Sequence, residues 1–188
     1  GLPARLSSQR FYDDCHAALT PGGVMVANLH TGHRRFEVFV DRIRRVAQLG
    51  SDHGLTVGIH AHAAGFIDFE PEEGNKKFSE RLKLIQELRK NGITVEGRPL
   101  FWTHSWVTPD WLKKKSYHEL LKYVEKHVRE VVGFYKDEIE VWEVVNEMHD
   151  WANEVQLNHE QIIELTKLAC DVARDTNPKV RLLINNCC

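Results

Sequence analysis

The fold is decided by residues 138–147, which read EIEVWEVVNE. Its first part is rich in β-branched and aromatic residues, which favour strands, and it ends abruptly in Asn146 and Glu147. The pattern predicts a buried strand over residues 138–146. A surface turn would explain the polar end without any function. A catalytic carboxyl group at the carboxyl end of a parallel strand would explain it as well.

Strands and helices alternate on both sides of this stretch. Predicted strands occupy residues 55–61, 93–102, 138–146 and 180–186, and predicted helices occupy residues 78–90, 116–136 and 158–178. This alternation indicates βαβ units and a parallel sheet. A complete (β/α)8 barrel usually needs about 250 residues. The chain has 188 residues and is too short for one.

The first 47 residues have a different character. They predict a helix at 7–19, a short strand at 24–30 and a second helix at 35–47, an αβα unit without evident chemistry. A polar, glycine-containing stretch follows at 48–54. We therefore predict two parts, residues 1–47 and residues 48–188.

The composition excludes several classes of partner. The net charge is −2 and the pI about 6.6, so nothing attracts the chain to nucleic acid or to an anionic membrane. No run approaches the roughly 18 apolar residues of a membrane span. No signal peptide is recognised, although a chain that begins at Gly1 says little about its compartment.

The sequence predicts neither a metal site nor a cofactor. No pair of cysteines has metal-ligand spacing, and we expect free thiols at Cys15, Cys170, Cys187 and Cys188. The alternative is a metal site formed by His60, His62 and His104. No carboxylate has the spacing to complete such a site.

Polar and aromatic side chains follow the predicted strands at their carboxyl ends, where functional groups gather in parallel α/β folds. Trp102 and His104 end one strand, and Asn146 and Glu147 end another. Indole rings stack on sugar rings, amides and imidazoles bind hydroxyl groups, and a carboxyl group can protonate a leaving oxygen. Core packing of each tryptophan, including Trp106, Trp111 and Trp142, and a structural role for the glutamate are the alternatives.

Three longer motifs have the order and spacing of one known family. They read GRPLFWTHSWVTPDWL at 97–112, VVGFYKDEIEVWEVVNE at 131–147 and ACDVARDTNPKVRLLINN at 169–186. Together they resemble glycoside hydrolase family 10, the (β/α)8-barrel endo-β-1,4-xylanases. The resemblance implies that about residues 65–188 form about half of such a barrel. It also implies hydrolysis of a β-1,4-linked polysaccharide, preferably xylan, without a cofactor.

The resemblance also assigns residues. Glu147 matches the family's acid/base glutamate, Asn146 the neighbouring asparagine that contacts the sugar, and Trp102 the tryptophan of the first motif. These positions imply a catalytic role for Glu147 and substrate binding for the other two.

Three positions depart from the family. Arg98 and Thr103 stand where histidines are usual, although His104 follows one residue later and is a further predicted substrate contact. Glu143 replaces an aspartate and keeps its charge. The two histidine replacements change side chains that contact the sugar in the family and that bear on the preference for xylan.

Retaining hydrolysis needs a second carboxylate about 5–5.5 Å from the first, acting as nucleophile. In the family this residue lies on a later strand, and none of Asp68, Glu70 and Asp150 matches its motif. Since the sequence ends at Cys188, before that strand, we expect the isolated chain to be inactive. A non-catalytic sugar-binding or inactive partial barrel is the alternative.

The beginning of the chain resembles a second family. Residues 6–30, LSSQRFYDDCHAALTPGGVMVANLH, are similar to the later part of spermidine synthases, which have a methyltransferase-type Rossmann fold. The resemblance implies a short Rossmann-like αβα fragment over residues 1–47. The cofactor loop and catalytic aspartate of that family lie upstream, so no active residue is assigned. A polyamine-synthase-like transferase is the remaining alternative.

Overall fold

The computed structural model describes residues 14, 17–18, 48, 58–62, 70–90, 94–148 and 152–185. Residues 59–90 and 94–188 form one compact unit, and residues 1–58 and 91–93 form another. Nearly all of the predicted αβα unit, and most of the boundary predicted at 48–54, lie outside the described residues. The Rossmann-like fragment therefore stays a prediction.

Four strands form one sheet in the order β1–β2–β3–β4. Their bounds are Gly58–His62 for β1, Thr94–Arg98 for β2, Val141–Asn146 for β3 and Arg181–Asn185 for β4. Strand β3 pairs in parallel with both β2 and β4, and Trp142 is level with Gly97 on one side and with Leu182 on the other. The predicted parallel α/β arrangement is confirmed for these three strands.

Helices connect the strands. A 3-10 turn at Phe78–Arg81 leads into α1, which spans Leu82–Lys90. Helix α2 spans Asp110–Lys113, α3 spans Tyr117–Phe134 and α4 spans His159–Thr176. No helix among the described residues is long and apolar enough to cross a membrane.

The two long helices begin at residues that cap them. Ser116 and Glu119 form a capping box at the start of α3, and Asn158 and Gln161 form one at the start of α4. Each box satisfies backbone N–H groups that lack a partner within the helix. Helix α3 buries one apolar face, formed by Leu120, Val124, Val128 and Val131. Helix α3 packs against α4.

Strand β2 ends earlier than the sequence predicts, because a proline interrupts the ladder. The predicted strand ran to Trp102, whereas β2 ends at Arg98 and is followed by Pro99, which has no backbone N–H to donate. The chain nevertheless stays beside β3, since Leu100 N–H donates to Glu143 O at 2.8 Å and Phe101 N–H to Val144 O at 2.9 Å.

Trp142 belongs to the core. Its side chain is 1% exposed and lies over Gly97, where an added β-carbon would be 2.2 Å from Cε3 of the indole. The missing side chain of Gly97 therefore lets β2 and β3 lie beside a large buried ring. The core-packing alternative is confirmed for Trp142.

Candidate active site

Glu147 is the first residue beyond β3 and has an unusual backbone. Its φ is 47°, in the left-handed region that few residues other than glycine adopt. Its N–H donates to Asn185 O at 2.9 Å, which ties this turn to the end of β4. The side chain is partly exposed, and within the described part of the chain its carboxylate has no hydrogen bond or ion pair. The carboxyl group is therefore held at the sheet edge by its backbone.

Asn146 is fixed by a residue of the neighbouring strand. Its side chain is 6% exposed, and its Oδ1 accepts a hydrogen bond from Asn185 Nδ2 at 2.7 Å. A buried amide held in this way has a defined orientation, which suits recognition of a sugar hydroxyl. Asn185 had no assigned role in the sequence, where the only signal was its place at a polar strand end.

Trp102, His104 and Trp106 form an aromatic cluster after β2. The rings of Trp102 and His104 stack with centroids 4.9 Å apart and an interplanar angle of 30°. The rings of His104 and Trp106 meet edge to face at 4.7 Å. Trp102 is half-buried, His104 is buried and Trp106 is 81% exposed. The core-packing alternative is therefore wrong for Trp106.

His104 lies inside this cluster. Its Nδ1 accepts the backbone N–H of Trp106 at 3.1 Å, which leaves the ring proton of the neutral form on Nε2. This geometry makes His104 a support for the two indoles, and the sugar contact predicted for it stays a prediction.

Thr103 has a structural position where the family usually has a histidine. It is fully buried, and its hydroxyl donates to Ala152 O at 2.8 Å. Its own carbonyl accepts the N–H of Glu154 at 3.0 Å. Thr103 thus fastens the segment that follows Glu147 to the segment that follows β2.

The strand register brings the predicted residues to one edge of the sheet. Phe101 pairs with Val145, so Trp102 follows at the level of Asn146, while Thr103 pairs with Asn153 in the segment after β3. The edge therefore combines an amide, a carboxyl group and indole surface, the groups that bind and protonate a sugar. The side chains of Arg98, His60 and His62 lie outside the description. Among the described residues no group of His, Cys, Asp and Glu is placed to hold a metal ion.

Several curated proteins are similar to this chain in sequence. Among curated relatives, a β-1,4-xylanase of Dictyoglomus thermophilum is 30% identical over 112 residues, which are 55% of this chain and 30% of the relative. Endo-1,4-beta-xylanase 3 of Hypocrea jecorina is 31% identical over 121 residues, which are 62% of this chain and 34% of the relative. The chain thus spans about a third of the length of these relatives.

Solved structures share the fold. The family 10 structure from Paenibacillus barcinonensis has a TM-score of 0.57 at 26% identity, covering 69% of this chain and 43% of that one. Xylanase 10B of Thermotoga maritima has a TM-score of 0.62 at 22% identity, covering 80% of this chain and 45% of that one. The sequence model of glycosyl hydrolase family 10 matches residues 63–187. The chain therefore belongs to glycosyl hydrolase family 10.

Proposed function

We propose that this chain carries the acid/base part of a retaining glycosidase site for a β-1,4-linked polysaccharide, with xylan preferred. The observation that carries the proposal is the position of Asn146 and Glu147 at the carboxyl end of β3, beside the aromatic cluster. Family membership and the names of the two curated relatives support xylan as the substrate.

In the proposed reaction Glu147 donates a proton to the glycosidic oxygen while the bond to the anomeric carbon breaks. A second carboxylate attacks the anomeric carbon and forms a covalent glycosyl-enzyme. Glu147, now ionised, takes a proton from the water that displaces that carboxylate, so two inversions give net retention. Asn146, oriented by Asn185, binds a hydroxyl of the sugar at the cleaved bond.

The nucleophile is the part that this sequence does not identify. None of its carboxylates lies in a stretch that matches the family's nucleophile motif. We therefore propose that the 188-residue chain binds xylo-oligosaccharides but does not hydrolyse them unaided. Calorimetry with xylohexaose, followed by an assay of reducing-sugar release, tests both halves of this statement. Failure to bind, or hydrolysis by the chain alone, would contradict it.

The role of Glu147 is tested in a protein that supplies the nucleophile. Residues 63–187 would replace the matching segment of Thermotoga maritima xylanase 10B. In the folded hybrid we expect Glu147→Gln to lower xylan hydrolysis at least about 100-fold, the usual contribution of general acid catalysis. Glu154→Gln, an exposed carboxyl group on the segment after β3, is the matched control and should retain activity.

Two results would contradict this role. Equal rates for Glu147→Gln and Glu154→Gln would remove the acid/base assignment. A hybrid that is folded and binds xylohexaose without any hydrolysis would favour a non-catalytic sugar-binding function.

A further inference from the structure

Trp106 is the exposed member of the aromatic cluster. It is 81% exposed, whereas Trp102 and Trp111 are partly buried and Trp142 is 1% exposed. We propose that Trp106 stacks on a sugar ring and extends the substrate site beyond the sugars that contact Glu147 and Asn146. This inference rests on the proposed function and adds to it a requirement for substrate length.

The backbone around Trp106 is held firmly. The carbonyl of His104 accepts N–H groups from Val107 at 3.0 Å and Thr108 at 3.1 Å, and it also accepts the Thr108 hydroxyl at 2.8 Å. The N–H of Trp106 itself is bound to the His104 ring at 3.1 Å. The turn is therefore preorganised, and little conformational entropy is lost when a ligand binds to it.

Within the described part of the chain, the ring contact of Trp106 is with His104. His104 meets it edge to face at 4.7 Å, and His104 in turn stacks on Trp102 at 4.9 Å. This chain of ring contacts fixes the indole, while its high exposure leaves a flat apolar surface open to solvent. Such a surface is complementary to the C–H face of a pyranose ring.

The position of Trp106 indicates which ligand it takes. The turn follows Phe101, which pairs with Val145, and Thr103, which pairs with Asn153, so it borders the end of β3 that we assign to the substrate. The bound molecule would be a linear β-1,4-linked oligosaccharide that continues from that edge over the turn. On this proposal xylobiose occupies only the strand ends, whereas xylohexaose also reaches the turn.

The test measures affinity against ligand length in the 188-residue chain. Calorimetric titrations with xylobiose and with xylohexaose would be made for the wild type and for Trp106→Ala. We expect the substitution to weaken xylohexaose binding about threefold to tenfold, the range of an aromatic contact, and to leave xylobiose unchanged. Ile163→Ala, at a 48% exposed position on α4, is the matched control and should bind both ligands like the wild type.

Trp106→Phe keeps an aromatic ring and should lose less affinity for xylohexaose than Trp106→Ala. Thermal unfolding of each variant checks that the fold is retained. Xylohexaose binding by Trp106→Ala that equals the wild type would overturn the inference and leave the proposed function standing. An equal loss for both ligands would also overturn it, because Trp106 would then act on the central site. A wild-type chain that binds neither ligand would overturn the proposed function and this inference with it.

Discussion

Position 97 requires glycine because the indole of Trp142 occupies the space of a side chain. An added β-carbon would lie within 2.6 Å of three indole atoms, and Trp142 is too tightly packed to move away. Gly133 in α3 differs, since an added β-carbon there would meet only Thr176 Cγ2 at 3.5 Å, an ordinary contact.

These two glycines make a matched pair of substitutions. We expect Gly97→Ala to lower the free energy of unfolding by about 1–3 kcal/mol, as overpacking of a core does. Gly133→Ala should raise it by roughly 0.5–1 kcal/mol, because alanine is the better helix residue. Urea unfolding of both variants decides the matter. Equal effects of the two substitutions would contradict the packing described for Trp142.

His127 is a buried base. Burial, and next the nearby charge of Lys76, lowers its pKa from 6.5 to about 3. The hydroxyl of Tyr123 donates to Glu70 at 2.9 Å and lies 3.3 Å from Nδ1 of His127. Since the hydroxyl has one proton and gives it to the carboxylate, the imidazole acts as the donor in the second contact.

The lowered pKa of His127 has a definite consequence for stability. Between pH 6.5 and about 3 the unfolded chain binds a proton at His127 that the folded chain does not bind. The contribution of the neutral His127 to the free energy of unfolding is therefore fully present above pH 6.5 and is lost as the pH falls. The expected slope is at most roughly 1.4 kcal/mol per pH unit. His127→Gln should therefore lose less stability between pH 7 and pH 5 than the wild type, measured by urea unfolding. The exposed His118→Gln is the control, and a wild-type slope in His127→Gln would refute the prediction.

Single residues were predictable where a local pattern fixes them. Strand periodicity placed Asn146 and Glu147 at the end of β3, and the resemblance gave them roles. The bond between Asn146 and Asn185 joins residues 39 positions apart and has no local pattern. The exposure of Trp106 depends on the turn around the His104 carbonyl. The residue type alone does not indicate this exposure, because tryptophan is apolar.

At the scale of elements, a buried polar network fastens residues 70–77 to α3. Glu70 is 2% exposed and accepts hydrogen bonds from Tyr123 and from the N–H of Gly74. Lys76 pairs with Glu70 and with Glu130. Burial and the charge of Glu70 raise the pKa of Tyr123, so the hydroxyl remains a donor. The segment before α1 is thus anchored by satisfied polar groups rather than by apolar packing alone.

Thr103 joins the segments that follow β2 and β3. We expect Thr103→Val to lower the free energy of unfolding by about 1–3 kcal/mol, because it leaves the buried Ala152 carbonyl without this donor. Thr108→Val removes a similar bond to His104 O, a carbonyl that keeps two backbone donors, and should cost less. Urea unfolding of the two variants gives the comparison. A smaller loss for Thr103→Val than for Thr108→Val would argue against Thr103 as the main anchor.

The order of helices and strands was predictable because each has its own apolar period, but their ends were less so. Strand β2 stops at Arg98 because Pro99 removes a donor, and the segment predicted as the first turn of a helix at Phe78 is a 3-10 turn. The capping residues Ser116 and Asn158, by contrast, lie within a residue or two of the predicted helix ends. The ends of helices and strands depend on local hydrogen bonds, and the spacing of apolar residues does not reveal these bonds.

At the scale of the whole molecule, β4 lies at one end of the sheet among the described strands, and several of its side chains are exposed. Leu183 is 45% exposed and Ile184 is 61% exposed, and successive residues of a strand point to opposite faces. An exposed apolar strand at a sheet edge is a site of association.

We therefore expect the 188-residue chain to associate as its concentration rises. Ile184→Lys should reduce that association, because a charge at the edge opposes pairing. Ile163→Lys places the same charge at a 48% exposed position on α4 and should leave the association unchanged. Sedimentation velocity over a range of concentrations measures the effect. Equal behaviour of the two variants would show that β4 is not the contact.

The parallel arrangement of β2, β3 and β4 was predictable because helices and strands alternate in the sequence, and the family was predictable because three motifs resemble it. The Rossmann-like fragment at residues 1–47 rests on its own motif and stays a prediction. The arrangement of groups along the sheet edge needed the register of β2 against β3, which joins Phe101 to Val145. The register between two strands is set by contacts between residues that are far apart in the sequence, so a local pattern does not predict it.

We propose that the carboxyl ends of β2, β3 and β4 form one carbohydrate site. Its most direct test is an NMR titration of the 188-residue chain with xylohexaose, in which backbone amide shifts are followed residue by residue. We predict saturable shifts at Trp102, Asn146, Glu147 and Asn185, and none along the exposed side of α4. Shifts confined to α4, or no saturable shift at the strand ends, would contradict a carbohydrate site at these strand ends.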